Sequence, residues 1–272
     1  IIYKINKLFL DANSRVLGYS PQFVDYIDDV KSYGGIYDYY LMTMENKYKF
    51  NLQLFLEKMN KNYKLIYIDN PNNPTGQVIP ISAIETIAEK AQKFGICVVV
   101  DEAYGDFMDN ANSAVTLIND YDNVAVIRTF SKGLGLAGIR GGYLIATEKL
   151  MKYYNKISNP YSISGFAGHL AAAALKDIQF INYSMKKVNR IKTQLIDSLH
   201  KVIVLETDLN VPIMTIKHPD SEINLEELLR ENNVLSISGE GFIGLDKSFV
   251  RLRINSDIEP VISAFDKIEK SI

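Results

Sequence analysis

The chain has 272 residues, of which 47% are apolar and 23% are charged, and its formal net charge is -2. This composition is typical of a soluble globular protein that is long enough to bury a sizeable core. The near balance of charge argues against a nucleic-acid-binding protein, which usually carries a basic excess. No apolar run approaches the roughly 20 residues that a membrane-spanning helix needs.

Cysteine and histidine usage narrows the class further. The single cysteine, Cys97, lies inside an apolar run and cannot form an internal disulfide, which fits a reducing, cytoplasmic compartment. The three histidines are scattered without ligand spacing, so we expect no metal site. The chain begins without a methionine and within a helical pattern from Ile1 to Phe9, so we expect the true N-terminus to precede it.

Residues 61–150 alternate between strand and helix patterns. A capping-box pattern from Ser82 to Glu85 predicts the start of a helix, and Gly95 predicts its end. Apolar runs predict strands at 65–68, 96–100, 123–127 and 143–146. Alternation of this kind predicts an α/β fold with a mostly parallel sheet flanked by helices.

The pattern changes after about residue 175. A long helix is predicted over residues 178–199. It is followed by two strands, a helix and a closing strand at 202–205, 213–216, 222–231 and 249–254. We therefore predict a large domain at residues 1–178, incomplete at its N-terminus, and a smaller α+β domain at residues 179–272.

Three polar segments each follow a predicted strand, namely Asn70 to Gly76, Asp101 to Tyr104 and Thr129 to Gly133. Taken singly, they have ordinary explanations as a turn, a helix N-cap and a surface lysine. In parallel α/β sheets, however, ligands bind beyond the carboxyl ends of the strands. The order and placement of the three segments therefore favour one shared site.

The run from Thr129 to Tyr143 resembles a signature of the class I/II aminotransferases, the fold-type I enzymes that use pyridoxal phosphate (PLP). It contains Ser131 and Lys132, with Arg140 eight residues after the lysine. The resemblance is closest to the histidinol-phosphate aminotransferase branch, covers essentially the whole chain and begins partway into the family's large domain. The family's small-residue turn that cradles the cofactor phosphate would precede residue 1.

The resemblance implies both an activity and a cofactor. The activity would be PLP-dependent transfer of an amino group between an amino acid or amino-phosphate, histidinol-phosphate-like or aromatic, and a 2-oxo acid. Lys132 would bind the aldehyde of pyridoxal 5'-phosphate covalently and later move a proton. Asp101 would pair with the ring nitrogen, and Asn73 and Tyr104 would hydrogen-bond the phenolic oxygen of the ring.

The resemblance also implies contacts to the cofactor phosphate and to the face of its ring. Arg140, Ser131 and Thr129 would hold the phosphate through charge-assisted and hydroxyl hydrogen bonds. Phe23, in the segment Pro21-Gln22-Phe23, matches an aromatic residue that stacks on the ring, although a plain core phenylalanine is the alternative.

Near the C-terminus, the resemblance points to an arginine that grips the substrate carboxylate. Arg251 and Arg253 lie on the same side of a predicted strand, so their spacing leaves both open. The family pattern of an arginine followed by isoleucine and a small polar residue selects Arg253, which with Asn73 would contact the substrate. A surface salt bridge is the alternative for Arg253, and the segment Gly239–Phe242 stays unassigned.

Two competing functions use the same residues. A decarboxylase of the threonine-phosphate decarboxylase type would break the bond to the carboxylate instead, and a PLP-fold protein without activity would serve as a regulator. In this family the site forms between two subunits, so we expect a homodimer with twofold symmetry. No nucleic-acid or membrane partner is implied.

Overall fold

The protein, described by a computed structural model over residues 1–272, contains two β-sheets. The first sheet has six strands in the order β2-β1-β3-β4-β5-β6, in which every neighbouring pair is parallel except β5 and β6. Its strands are β1 (Arg15–Ser20), β2 (Ile36–Leu41), β3 (Tyr63–Asp69), β4 (Cys97–Asp101), β5 (Val124–Thr129) and β6 (Gly142–Ala146). This sheet confirms the predicted α/β class.

The second sheet is antiparallel, with the strand order β7-β8-β10-β9. Its strands are β7 (Ile203–Val204), β8 (Ile213–Lys217), β9 (Ile237–Ser238) and β10 (Phe249–Arg253). All four strands follow the long predicted helix. The domain boundary at residue 178 stays a prediction.

Nine α-helices surround the two sheets. They are α1 (Ile2–Phe9), α2 (Asp25–Ser32), α3 (Leu52–Lys58), α4 (Ile81–Phe94), α5 (Glu148–Ile157), α6 (Gly165–Ala174), α7 (Ile178–Ser198), α8 (Leu225–Glu231) and α9 (Glu259–Ser271). None of these helices combines the length and the apolar character that crossing a membrane requires.

The central strand β4 is buried on both faces. Val98 and Val100 belong to one apolar cluster, whereas Cys97 and Val99 belong to another on the opposite side of the sheet. Successive side chains of a strand point to opposite faces, so a strand covered by helices on both sides needs apolar residues at every position. The continuous β-branched run in the sequence reflects this position.

Helix α4 begins differently from the sequence-based expectation. The capping-box prediction was wrong, because Ser82 lies inside the helix, which starts at Ile81 after Pro80. The N–H of Ile81 instead donates to the side chain of Asn112 at 2.8 Å. The predicted end was right, since Gly95 adopts a left-handed conformation with φ +71°.

The strands β1 and β2 were not predicted from the sequence. The middle of β1 contains Gly18, which weakens a strand pattern. A Cβ at Gly18 would lie 2.0 Å from the hydroxyl oxygen of Tyr37 on the neighbouring strand, so this position has no room for a side chain. The close packing of Tyr37 therefore explains why a glycine stands at position 18, and this glycine made β1 hard to predict.

Glu269 on α9 binds three successive backbone N–H groups. Its Oε1 accepts hydrogen bonds from His200 at 2.8 Å, Lys201 at 2.7 Å and Val202 at 3.0 Å. Burial opposes ionisation of this carboxyl group, but the three hydrogen bonds outweigh burial and lower the pKa of Glu269. The ionised carboxylate thus ties α9 to the segment that follows α7.

The substitution Glu269→Gln should lower the free energy of unfolding by about 1–2 kcal/mol at pH 7, because a neutral amide oxygen accepts these bonds less strongly. The pKa of Glu269 is lower in the folded protein than its unfolded value of about 4.5. The contribution of the carboxylate is therefore complete above that value and is lost as pH falls through the folded-state pKa. Urea unfolding at pH 7 and at successively lower pH measures both effects.

The matched control is Asp266→Asn, at an exposed position of the same helix. It should change the free energy of unfolding by less than about 0.5 kcal/mol. Equal losses in the two variants would contradict the proposed role of Glu269.

Candidate active site

The segments that follow β3, β4 and β5 meet at the carboxyl edge of the first sheet. Two cavities of about 970 Å³ and 70 Å³ lie there and share Phe23, Asp101 and Lys132 in their walls. The larger cavity is also lined by Thr129, Ser131 and Arg140, and the smaller one by Asn73 and Tyr104. The structure therefore brings together all eight residues that the resemblance assigns to the cofactor.

Asp101 is the buried last residue of β4. Its Oδ2 accepts a hydrogen bond from the hydroxyl of Tyr26 at 2.7 Å, and its Oδ1 accepts from the N–H of Ala103 at 2.9 Å. Burial raises the pKa of Asp101 to about 6; the Tyr26 hydrogen bond opposes this shift, and the neighbouring Asp69 adds to it. Sequence reasoning missed Tyr26, whose only signal is its position about one helical turn after Phe23.

Asp69 is a second buried carboxylate, paired in register with Asp101 on the next strand. It accepts hydrogen bonds from the hydroxyl of Tyr19 at 2.7 Å and from the side chain of Gln22 at 3.0 Å. It also accepts from the N–H of Asn73 at 2.9 Å. Asp69 thereby anchors the turn of residues 70–77, hereafter the Asn73 turn. Sequence reasoning did not identify Asp69 as a site residue.

Arg251 contacts the Asn73 turn directly. Its Nη1 donates to Oδ1 of Asn73 at 2.9 Å, while its buried Nε has no partner within the protein. Arg253, the last residue of β10, is exposed and makes no hydrogen bond to this turn, and neither arginine lines the two cavities. The pairing of β10 with β8 explains the difference, because Arg251 lies opposite Thr215, whose hydroxyl binds the carbonyl of Pro74 in the Asn73 turn at 2.9 Å. Arg253 lies two residues further along the strand, opposite Ile213.

Lys132 follows β5 and faces the shared part of the two cavities. Its Nζ lies 5.3 Å from the centre of the Tyr104 ring. Partial burial lowers the pKa of Lys132; the positive charges of Arg251 and Arg253 lower it further, and Asp101 opposes them. A lower pKa increases the fraction of free amine, which is the nucleophilic form.

The wall of the larger cavity carries groups suited to an anion. The N–H of Ser131 donates to Oγ1 of Thr129 at 3.1 Å, which holds the two hydroxyl groups close together. Arg140 is exposed, and its Nη1 donates to the carbonyl of Ala137 at 3.1 Å. A guanidinium with two neighbouring hydroxyls can bind a phosphate through several hydrogen bonds.

A further cavity of about 390 Å³ lies at the opposite end of the sheet. Its walls include Cys97 at the start of β4 and Asn123 just before β5. None of the eight cofactor candidates lines it.

The donor set at the carboxyl edge fits PLP group by group. An amine stands ready for the aldehyde, a buried carboxylate for the ring nitrogen, and an amide and a phenol for the ring oxygen. A guanidinium with two hydroxyls suits the phosphate. The larger cavity, of about 970 Å³, also lies within the size range of cofactor sites, about 300–1,000 Å³. The fold and the site together define a PLP-dependent enzyme of fold type I.

Comparisons with known proteins support this enzyme class and identify the family within it. The family model described as aminotransferase class I and II matches residues 1–268. The histidinol-phosphate aminotransferase of Clostridium novyi (strain NT) is 32% identical over 261 residues, which cover 94% of this chain and 70% of that protein. The chain therefore belongs to the class I and II aminotransferases.

Two solved structures share the fold. The histidinol-phosphate aminotransferase from Clostridium acetobutylicum matches with a TM-score of 0.89 and 22% identity, covering 100% of this chain and 81% of that one. The histidinol-phosphate aminotransferase from Sinorhizobium meliloti in complex with pyridoxal-5'-phosphate matches with a TM-score of 0.80 and 21% identity, covering 99% and 74%. The chain is thus a PLP-dependent aminotransferase, which confirms the predicted family, enzyme class and cofactor.

In the cofactor-free protein, Asp101→Asn should raise the free energy of unfolding by about 3 kcal/mol at pH 8, because it removes a buried charge. The pKa of Asp101 is about 6 in the folded protein, against an ordinary value of 3.8. A raised pKa penalises folding only when the group ionises, so the gain should vanish below about pH 4 and be complete above about pH 7. Chemical denaturation at pH 4 and pH 8 measures this gain.

Asp120→Asn, at an exposed loop position, is the control and should show no pH-dependent gain. A gain for Asp101→Asn that is as large at pH 4 as at pH 8 would show that the buried charge is not its cause.

Proposed function

We propose that this aminotransferase takes the amino group from an amino-phosphate of the histidinol-phosphate type, or from an aromatic amino acid, and passes it to a 2-oxo acid. The observation that carries the proposal is the contact between Arg251 and Asn73 near Lys132, since Nε of Arg251 is left without a partner. An acid group of the substrate can bind this guanidinium with its amine close to Lys132. The histidinol-phosphate aminotransferases among the relatives support the amino-phosphate.

Four residues would carry the chemistry at the cofactor. PLP, when bound, supplies a ring that withdraws electrons from the substrate α-carbon. Nζ of Lys132 would hold the cofactor through its aldehyde, and as a free amine it would take the proton from the substrate α-carbon and deliver it to the cofactor. Asp101 keeps the ring nitrogen protonated, and Asn73 and Tyr104 bind the ring oxygen.

Four further residues would hold the cofactor in place. Arg140 binds the phosphate as a cation, and the hydroxyls of Thr129 and Ser131 donate to its other oxygens. Phe23 stacks on the ring, and its own ring is held edge-on by Tyr26 at a centroid distance of 5.4 Å.

The geometry favours Arg251 over Arg253 as the residue that grips the acid group of the substrate. Arg251 is partly buried and contacts Asn73, so an anion bound there loses water and gains a charge-assisted hydrogen bond. Arg253 is exposed, where an ion pair contributes at most about 1 kcal/mol. We therefore propose Arg251 for this role, whereas the family pattern in the sequence selects Arg253.

We further propose a homodimer in the cytoplasm. Large apolar side chains lie in solvent around α6 and α7, among them Tyr161, Phe166 and Tyr183, which are 100%, 74% and 64% exposed. Apolar patches of this kind mark protein interfaces, and twofold symmetry would cover the same patch on both copies. The single free cysteine, Cys97, supports a reducing compartment.

A spectral screen of amino donors tests the function. Protein from the complete gene, supplied with PLP, should show the visible absorbance band of the lysine-bound cofactor. Histidinol phosphate should abolish this band more efficiently than other donors, and a 2-oxo acid should restore it. Lys132→Ala should lack the band, whereas Lys149→Ala, on the exposed side of α5, should keep it.

The products separate the competing activities. Release of carbon dioxide from threonine phosphate, without amino transfer, would favour the decarboxylase alternative. The absence of any band in the presence of PLP would sink the proposal.

The two arginines of β10 give a matched pair of variants. Arg251→Gln should raise the KM of the amino donor roughly 100-fold, because a partly buried charge-assisted contact worth about 3 kcal/mol is lost. Arg253→Gln should raise the KM less than roughly fivefold, because its guanidinium is exposed. Steady-state kinetics of both variants check this order, and the reverse order would restore Arg253 as the substrate residue.

A further inference from the structure

Lys192 on α7 is a fully buried lysine that the proposed mechanism does not use, with 0% of its surface exposed. Its Nζ has four oxygen acceptors within 3.0 Å. These are the hydroxyl of Thr207 and the carbonyls of Asp208, Val211 and Ile213. A lysine amine that has lost its water on burial needs such partners, and here they gather a whole chain segment around one amine.

The oxygens that Lys192 gathers form the surface on which the Asn73 turn rests. A Cβ at Gly76 would lie 2.3 Å from the carbonyl oxygen of Ile213 and 2.8 Å from the hydroxyl oxygen of Thr207. Only glycine allows so close an approach, and its φ of +77° also favours glycine. The N–H of Asp208 then donates to the carbonyl of Gly76 at 3.0 Å. Lys192 therefore fixes Thr207, Asp208 and Ile213, which are the residues that contact the Asn73 turn at Gly76.

The same turn carries Asn73, three residues before Gly76. On the other side of the turn, the hydroxyl of Thr215 binds the carbonyl of Pro74 at 2.9 Å. The contact of Thr215 comes from β8, and a second contact comes from β10, since Asn73 accepts the hydrogen bond from Arg251. A shift of the turn at Gly76 would therefore move Asn73 relative to both the cavity and Arg251.

We propose that Lys192 is a positioning residue for amino transfer. By holding residues 207–213 in place, it fixes the Asn73 turn and with it the placement of Asn73 against Arg251. Lys192 contacts neither the cavities nor Arg251, so it acts only through these groups. The expected effect on catalysis rests on the proposed function, through the roles of Asn73 and Arg251. The expected effect on the position of the Asn73 turn does not depend on those roles.

The test compares Lys192→Met with Lys217→Met. Lys217, at the end of β8, is also buried, and its Nζ binds the carbonyl of His218 at 2.9 Å and the hydroxyl of Ser221 at 3.2 Å. These partners belong to its own local turn. Each variant removes one buried, hydrogen-bonded lysine amine from this part of the protein, so both should lower the thermal midpoint.

Two measurements separate positioning from stability. Amide hydrogen exchange at Gly76 and Asp208 in cofactor-free protein should accelerate roughly tenfold or more in Lys192→Met and stay near the native rate in Lys217→Met. With PLP, the KM of the amino donor should rise roughly fivefold in Lys192→Met, with a smaller change in kcat. Lys217→Met should leave KM unchanged.

Exchange rates and KM in Lys192→Met that match those of Lys217→Met would overturn the proposal. If Lys192→Met does not fold, Thr215→Val removes the contact on the other side of the turn and should move both measurements in the same direction. No change in Thr215→Val would also overturn the proposal. The exchange measurement needs no substrate, so failure of the proposed function and failure of this inference can be told apart.

Discussion

Two buried carboxylates at the ends of neighbouring strands are the constraint on which the site depends. Asp69 and Asp101 lie in register on β3 and β4, so two like charges are held close together away from water. Burial raises the pKa of both groups, and Asp69 raises that of Asp101 further. The protein compensates with donors, namely Tyr26 for Asp101, and a tyrosine, a glutamine and the N–H of Asn73 for Asp69.

These donors explain why the first strand and the second helix of the chain matter to the site. Tyr19 lies on β1, Gln22 follows it, and Tyr26 lies on α2. A protonated ring nitrogen beside Asp101 would give this carboxylate a cationic partner in addition to the neutral donors Tyr26 and Ala103. The Asp101 carboxylate, which is costly to bury, is therefore also the group that can pair with the cofactor.

The Asn73 turn joins the two sheets. It is anchored to the first sheet through Asp69 and to the second through Thr215 and Arg251. An anionic substrate bound at Arg251 would thus touch the second sheet while its amine faces Lys132 at the edge of the first. The placement of the two sheets against each other then sets the distance between the acid group and the reacting amine.

Much of the fold was predictable because its signals are local. The β-branched run at 96–100 predicted a strand buried on both faces, and Gly95 predicted the end of α4, since each depends on neighbouring residues alone. The strands β1 and β2 were missed. Gly18 interrupts the pattern of β1 for a reason, the approach of Tyr37, that only the folded chain reveals.

For the site, the sequence alone determined the cofactor class and the candidate residues. The run around Lys132 and the polar segments after two other strands are short, so each can be recognised without knowing the fold. Only the tertiary structure showed that Arg251 contacts Asn73 while Arg253 is exposed, since strand alternation puts both on one side. The contact that separates them joins residues 178 positions apart. Tyr26, Asp69 and Lys192 likewise gain their meaning from distant partners, and hydrogen bonds between remote segments leave no pattern along the chain.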